Sequence, residues 1–103
     1  MRRAVIVHHD DDMARGARWV GPLAPILLGS GYSVELVTPL LGHPIPTDVD
    51  VVVVLGSEES AYDDSLPWLA GELDDLRKAV DSGTPVLGIC FGSQVLARVL
   101  GGS

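Results

Sequence analysis

The residue with the clearest capacity for chemistry is Cys90, in the run Gly88-Ile89-Cys90-Phe91-Gly92. An apolar run, residues 85–89, precedes it, and a helical pattern follows it over residues 93–100. A sharp strand-to-helix turn holds a nucleophile clear of a sheet and crowds the residues two before and two after it, which favours glycine there. At the start of a helix, free N–H groups and the helix dipole favour the thiolate, the form that attacks carbonyl carbon. The sequence therefore predicts a nucleophile elbow.

Two segments carry a resemblance to a known family. Residues 84–94, Thr-Pro-Val-Leu-Gly-Ile-Cys-Phe-Gly-Ser-Gln, resemble the nucleophile segment of class I glutamine amidotransferases, especially their guanylate-synthetase-like branch. Residues 53–64 resemble the segment that carries the family's oxyanion loop, at the end of the third strand. In that family the cysteine takes the side-chain carbonyl of glutamine as a thioester and releases ammonia. A histidine on a later strand is the base, and an acidic residue orients it.

The resemblance implies a role for five residues. Cys90 is the nucleophile, and Gln94 and Gly56 contribute to binding of the substrate, L-glutamine. The backbone N–H groups of Ser57 and Phe91 line the oxyanion hole; the family commonly has Gly-Gly-Pro where this chain has Gly-Ser-Glu at residues 56–58. No metal and no cofactor is implied. The ammonia acceptor would be a synthetase domain or subunit.

The family's histidine and its acidic partner lie well downstream of the elbow, whereas the sequence ends at Ser103. We therefore expect residues 1–103 to be the N-terminal portion of a single glutamine amidotransferase-like domain, and to be inactive alone. The strand at residues 85–89, from Pro85 to Ile89, lacks the charges that protect open sheet edges. We expect the isolated chain to self-associate through it.

Two other functions remain open. γ-Glutamyl peptidases and protease-like relatives share the elbow, so the chain could be a γ-glutamyl peptidase-like cysteine hydrolase. Phe91 favours the amidotransferases, because protease-like relatives usually carry histidine directly after the cysteine. The chain could also be a truncated, non-catalytic chain that binds or assembles. The natural reading frame beyond Ser103 discriminates these possibilities, because a later histidine and acidic residue would support an enzyme.

The elements that must position Cys90 follow from apolar patterning. Wholly apolar runs predict strands covered on both faces, alternation predicts an edge strand, and helical spacing predicts helices. The predicted strands are residues 4–7, 33–38, 51–55 and 85–89, and the predicted helices are residues 22–28, 67–82 and 94–100. This order predicts a three-layer α/β fold with a mostly parallel, flavodoxin-like sheet of strand order 2-1-3-4, incomplete in this chain. Its ligand crevice would lie beyond the carboxyl ends of the strands.

The run His-His-Asp-Asp-Asp at residues 8–12 follows the first predicted strand. Imidazole and carboxylate groups bind divalent metals, but consecutive residues after a strand rarely converge on one ion. We expect a solvated acidic loop with one histidine facing the crevice. His43, between glycine and proline, is expected at the surface, and Trp19 and Trp68 are expected to pack rather than bind substrate.

The charge and cysteine content restrict partners and compartment. The formal charge is −7, and the seven basic residues are scattered, which argues against direct binding to nucleic acid. One cysteine excludes an internal disulfide framework and suits a reducing cytosol. The longest uncharged stretch is broken by prolines and glycines and is too short to span a bilayer. A cytoplasmic location is predicted, with no membrane partner.

Overall fold

A computed structural model of the chain describes residues 2–55 and 65–88, except for the side chain of Trp19. The chain begins with β1 (Arg2–Val7), which is followed by α1 (Met13–Val20) and α2 (Leu23–Gly29). The second strand is β2 (Tyr32–Val37), after which comes a single 3₁₀ turn (Pro39–Leu41). The remaining described elements are β3 (Val51–Val54), α3 (Leu69–Asp81) and β4 (Val86–Gly88).

The described strands form one parallel sheet in the order β2-β1-β3-β4. In the register, Ile6 pairs with Leu36 on one side and Val53 on the other, and Val53 pairs with Leu87. The predicted α/β class and strand order are confirmed. Within the described strands, β2 and β4 are the outer ones, and the carboxyl ends of all four meet along one side, here called the carboxyl edge.

Alternate residues of the central strands pack into two separate hydrophobic layers. Val5, Val7, Val52 and Val54 contact Leu69 and Leu76 of α3. Ile6 and Val53 face the other way, against residues of α1 and α2 that include Val20 and Leu23. Successive strand side chains point to opposite faces, so a strand covered on both faces needs a continuous apolar run. The three-layer arrangement is therefore confirmed over the described residues.

Helix α1 is absent from the predicted elements. Its described buried residues are only Gly16 and Val20, too few for a helical apolar stripe to stand out in the sequence. The signal that could have revealed it is Asp12, whose Oδ1 accepts the N–H groups of Ala14 and Arg15 at 2.8 and 3.1 Å. Aspartate is a favoured N-cap because it satisfies donors that the first turn leaves unpaired.

Helix α3 begins two residues later than Pro67, its predicted first-turn residue. Trp68 occupies the cap position, and Pro67 lies in the turn before it. At its other end the helix stops after Asp81, and Ser82 is followed by Gly83, whose φ of 79° is a left-handed conformation that glycine adopts readily. Over residues 2–55 and 65–88, no helix has the length and apolar character needed to cross a membrane.

Candidate functional site

The carboxyl edge brings together the points at which the chain leaves β1, β3 and β4. The N–H of Leu55 donates to the carbonyl of Val7 at 3.0 Å, which extends the sheet one residue beyond β3. Gly88, the last residue of β4, is the register partner of Val54. The stretch that leads to Ser57 and the stretch that leads to Cys90 therefore start from neighbouring, parallel strands at the same edge.

The five residues assigned by resemblance lie outside the described residues: Gly56, Ser57, Cys90, Phe91 and Gln94. Their roles stay predictions. The predicted helix over residues 94–100 and the last residue of the predicted strand, Ile89, also lie outside them. What the structure does describe is the scaffold on either side of these segments, together with a cluster of polar side chains at the end of β1.

A buried pair of ionisable side chains, His9 and Glu72, joins β1 to α3. His9 Nε2 lies 2.6 Å from Glu72 Oε1, and the two side chains are 1% and 0% exposed. The ring of Trp68 contacts the His9 ring, with centroids 5.3 Å apart and planes inclined at 38°. This pair lies on the α3 side of the sheet, the side that Val5 and Val7 also face, and Trp68 packs against that core as predicted.

Glu72 does not feature among the predicted site residues, although the sequence carries a signal for it. The buried residues of α3 are Leu69, Glu72, Leu76 and Ala79, at spacings of three and four. A carboxylate on the buried stripe of an amphipathic helix requires a partner, because charge is costly to bury alone. The sequence shows that the stripe contains Glu72 but not that His9 meets it.

His8 lies on the opposite face of the sheet and is fully buried. Its Nδ1 accepts the N–H of Asp10 at 3.3 Å, which places the ring proton on Nε2 in the neutral form. Nε2 has no partner among the described residues. Gly16 of α1 lies so close that a Cβ atom there would overlap the ring. Burial lowers the pKa of His8, and the Asp10 carboxylate opposes that shift.

The prediction of a solvated loop at residues 8–12 is therefore wrong for His8 and His9, whose side chains are buried. His8 continues the face of β1 that carries Ile6, which α1 covers. His9 continues the face that carries Val7, which α3 covers. The acids that follow are more exposed, and Arg15 pairs with Asp10 at 3.1 Å and with Asp11 at 2.8 Å. No group of three or more His, Cys, Asp or Glu residues in the described part of the chain could hold a metal ion.

The expected surface position of His43 also needs correction. The residue is half-buried, and its Nδ1 accepts the N–H of Thr38 at 3.2 Å. The Thr38 hydroxyl donates to the carbonyl of Asp10 at 2.8 Å. His43 thus closes the turn after β2 and helps to fix the loop that follows β1.

Stability is expected to fall in mild acid because of His8. The pKa of His8 in the folded chain lies below its ordinary value of 6.5, so the unfolded chain binds a proton first as the pH falls. The His8 contribution is complete above pH 6.5 and is lost as the pH falls from there through the lowered folded pKa. Denaturant unfolding as a function of pH measures this slope. His8→Gln should flatten it in that window, whereas an unchanged slope would contradict the assignment.

Comparison with known proteins gives a consistent set of similarities. Residues 28–103 match the family described as glutamine amidotransferase class-I. The cobyric acid synthase of Bradyrhizobium sp. is 37% identical over 76 residues, which cover 74% of this chain and 15% of that protein. The GMP synthase [glutamine-hydrolyzing] of Lachnospira eligens is 39% identical over 51 residues, 50% of this chain and 9% of that protein.

Two further similarities concern a peptidase and a solved structure. Gamma-glutamyl peptidase 4 of Arabidopsis thaliana is 42% identical over 50 residues, 48% of this chain and 20% of that protein. A glutamine amidotransferase structure from Thermotoga maritima is 29% identical with a TM-score of 0.76, over 97% of this chain and 43% of that chain. The chain spans less than half the length of each of these proteins.

Proposed function

Because the chain belongs to the class I glutamine amidotransferase family, we propose that it is the nucleophile-bearing part of a glutaminase. The Cys90 thiolate adds to the side-chain amide carbon of glutamine, and the resulting tetrahedral intermediate expels the amide nitrogen. That nitrogen takes a proton and leaves as ammonia. Water then hydrolyses the γ-glutamyl thioester, which releases glutamate and returns the thiol.

The observation that carries this proposal is the pairing of β3 with β4. Val54 and Gly88 are register partners at the carboxyl edge, so the segments that bear Ser57 and Cys90 begin side by side. An oxyanion hole needs donors about 3 Å from the oxygen on which charge develops. We assign those donors to the backbone N–H groups of Ser57 and Phe91, and substrate binding to Gly56 and Gln94.

Neither His8 nor His9, the two histidines that follow β1, is assigned as the general base. β3 lies between β1 and β4 in the sheet, and two strand spacings amount to roughly 10 Å. His9 Nε2 is already engaged in a hydrogen bond with Glu72, and the His8 ring is buried on the face of the sheet that α1 covers. We assign the base to a histidine beyond residue 103. Translation of the natural reading frame beyond that point tests this directly.

Ammonia release serves a second reaction. Two of the relatives are named as synthases. We assign the acceptor of the ammonia to a synthetase domain or subunit that aminates its own substrate. Without that partner, the protein would still hydrolyse glutamine to glutamate and ammonia.

A γ-glutamyl peptidase is the second candidate, because gamma-glutamyl peptidase 4 is 42% identical over 50 residues. Both reactions form the same γ-glutamyl thioester on cysteine and differ in the amine that leaves. The test compares kcat/KM for glutamine and for γ-glutamyl dipeptides, with the protein expressed from its full natural reading frame. Preference for glutamine supports the amidotransferase, and preference for the dipeptides supports the peptidase. Hydrolysis of neither would favour a binding or assembly role.

Ser57→Gly is expected to leave turnover of that protein unchanged. The proposed donor is a backbone N–H, which glycine retains, and the family commonly has glycine there. Steady-state kinetics with glutamine measures the effect. A fall of about a hundredfold, the size expected for loss of an oxyanion donor, would show that the Ser57 hydroxyl takes part.

A further inference from the structure

The start of α1 rests on the ring of His8. His8 is fully buried, and a Cβ atom at Gly16 would overlap its ring, so the helix backbone lies directly against the imidazole. Of the first four residues of α1, residues 13–15 are exposed and only Gly16 is buried. The cover over His8 is therefore a short stretch of helix with little apolar surface in the core. Segments with few buried apolar contacts are the ones that open locally while the rest of a fold stays intact.

His8 accepts a hydrogen bond that only its neutral form can accept. Its Nδ1 takes the N–H of Asp10 at 3.3 Å. The Asp10 carbonyl in turn accepts the hydroxyl of Thr38 at 2.8 Å, which ties this part of the loop to the end of β2. A protonated ring carries a proton on both nitrogens, so its Nδ1 proton would face the N–H of Asp10. Its Nε2 proton would have no acceptor among the described residues. The described fold thus stabilises imidazole at this position and not imidazolium.

The charges around His8 give the imidazolium a partner once α1 has moved. Burial lowers the pKa of His8, the Asp10 carboxylate opposes that shift, and His9 and His43 add to it. In the closed fold the Asp10 carboxylate pairs with Arg15 of α1, whose Nε lies 3.2 Å from each of its oxygens. Displacement of the start of α1 carries Arg15 away and leaves the carboxylate to pair with the charged ring.

We propose that protonation of His8 releases the start of α1, residues 13–16, from the carboxyl edge while the sheet stays folded. The backbone of His8 cannot move with the helix, because its N–H donates to the Val37 carbonyl at 3.0 Å. The ring therefore reaches water by displacement of the helix turn that covers it. Val20, one turn further along α1, stays packed in the core and holds the rest of the helix. This acid-sensitive cover is independent of the proposed function.

Native-state amide hydrogen exchange tests the release in the protein expressed from its full natural reading frame. The N–H of Gly16 donates to the Asp12 carbonyl at 2.8 Å and reports on the start of α1, whereas the N–H of Leu55 reports on the sheet. Gly16 should exchange through an opening that low denaturant does not promote, because little surface is exposed, whereas exchange at Leu55 should accelerate with denaturant. Between pH 7 and pH 5 the protection of Gly16 should fall by about tenfold. An open state in which His8 has its ordinary pKa of 6.5 limits that fall to about thirtyfold.

His8→Asn separates the titration from the hydrogen bond. The asparagine amide oxygen can accept the Asp10 N–H as Nδ1 does, but it does not titrate. Protection of Gly16 in this variant should change by less than about threefold over the same pH range. His43→Asn is the matched control, because His43 Nδ1 also accepts a backbone N–H at the carboxyl edge, that of Thr38. It should keep the tenfold fall. A fall that persists in His8→Asn, or one that disappears in His43→Asn, would overturn the inference.

A titration of wild type decides the case if His8→Asn does not fold. The NMR signal of the His8 Cε1 proton gives the pH at which the ring is protonated, and this pH should match the midpoint of the loss of protection at Gly16. Protonation of His8 with unchanged protection at Gly16 would overturn the inference. So would a ring that stays neutral until the sheet unfolds, with Gly16 and Leu55 opening together. Because no readout depends on glutamine hydrolysis, failure of the proposed function and failure of this inference are distinguishable.

Discussion

Replacement of Cys90 by alanine is expected to reduce glutamine hydrolysis by on the order of a millionfold, to below detection, because covalent catalysis loses its nucleophile. Glutamine binding should remain largely intact, since the assigned binding residues, Gly56 and Gln94, are unchanged. Ammonia release in the full-reading-frame protein measures the first effect. Isothermal titration with glutamine measures the second.

Asp11→Ala is the matched control for Cys90→Ala. Asp11 lies in the loop after β1, is largely exposed and pairs only with Arg15 among the described residues. Its replacement should leave turnover near the wild-type value. If the Cys90→Ala variant kept a tenth or more of wild-type turnover while folded, the thioester mechanism would be wrong.

Replacement of Gly16 by alanine is expected to destabilise the fold. The new methyl group would overlap the ring of His8, which is fully buried and held by the N–H of Asp10. Overpacking of this kind costs about 1–3 kcal/mol, more than the roughly 0.5–1 kcal/mol that alanine gains over glycine within a helix. Denaturant unfolding gives the change in free energy directly.

A double-mutant cycle isolates the contact between Gly16 and His8. In a His8→Ala background the ring is absent, so Gly16→Ala should change sign and stabilise by roughly 0.5–1 kcal/mol. Gly71→Ala is the control, because Gly71 is an exposed residue of α3 with open space around its Cα. It should stabilise in both backgrounds. Destabilisation by Gly16→Ala that persists without the His8 ring would show that the clash lies elsewhere.

The strand order was predictable because each central strand is a continuous apolar run, and such runs occur where both faces of a parallel sheet are covered. The same reasoning failed for α1, which buries few of its described residues. It also failed for His8 and His9, because polar residues after an apolar run usually indicate solvent. Only the three-dimensional packing shows that α1 covers one of these histidines and α3 covers the other.

The candidate site also has a part that could be predicted from the sequence and a part that could not. Cys90 stands out because glycines on both sides suit a tight turn, a local constraint that a sequence displays. The partnership of His9 with Glu72 joins residues 63 positions apart and depends on how α3 crosses the sheet. Nothing in the local sequence of either residue encodes that contact. The spacing of Glu72 from Leu69 and Leu76 could have indicated that the carboxylate needs a partner, but only the packing identifies that partner as His9.

Mass spectrometry of the intact full-reading-frame protein, quenched in acid during turnover of glutamine, shows directly whether hydrolysis passes through a thioester on Cys90. We expect a fraction of the protein to be heavier by one γ-glutamyl group, with the modification mapped to Cys90. Cys90→Ala should show no such species under the same conditions. Glutamine hydrolysis without any adduct on Cys90, or an adduct on a different residue, would contradict the thioester mechanism.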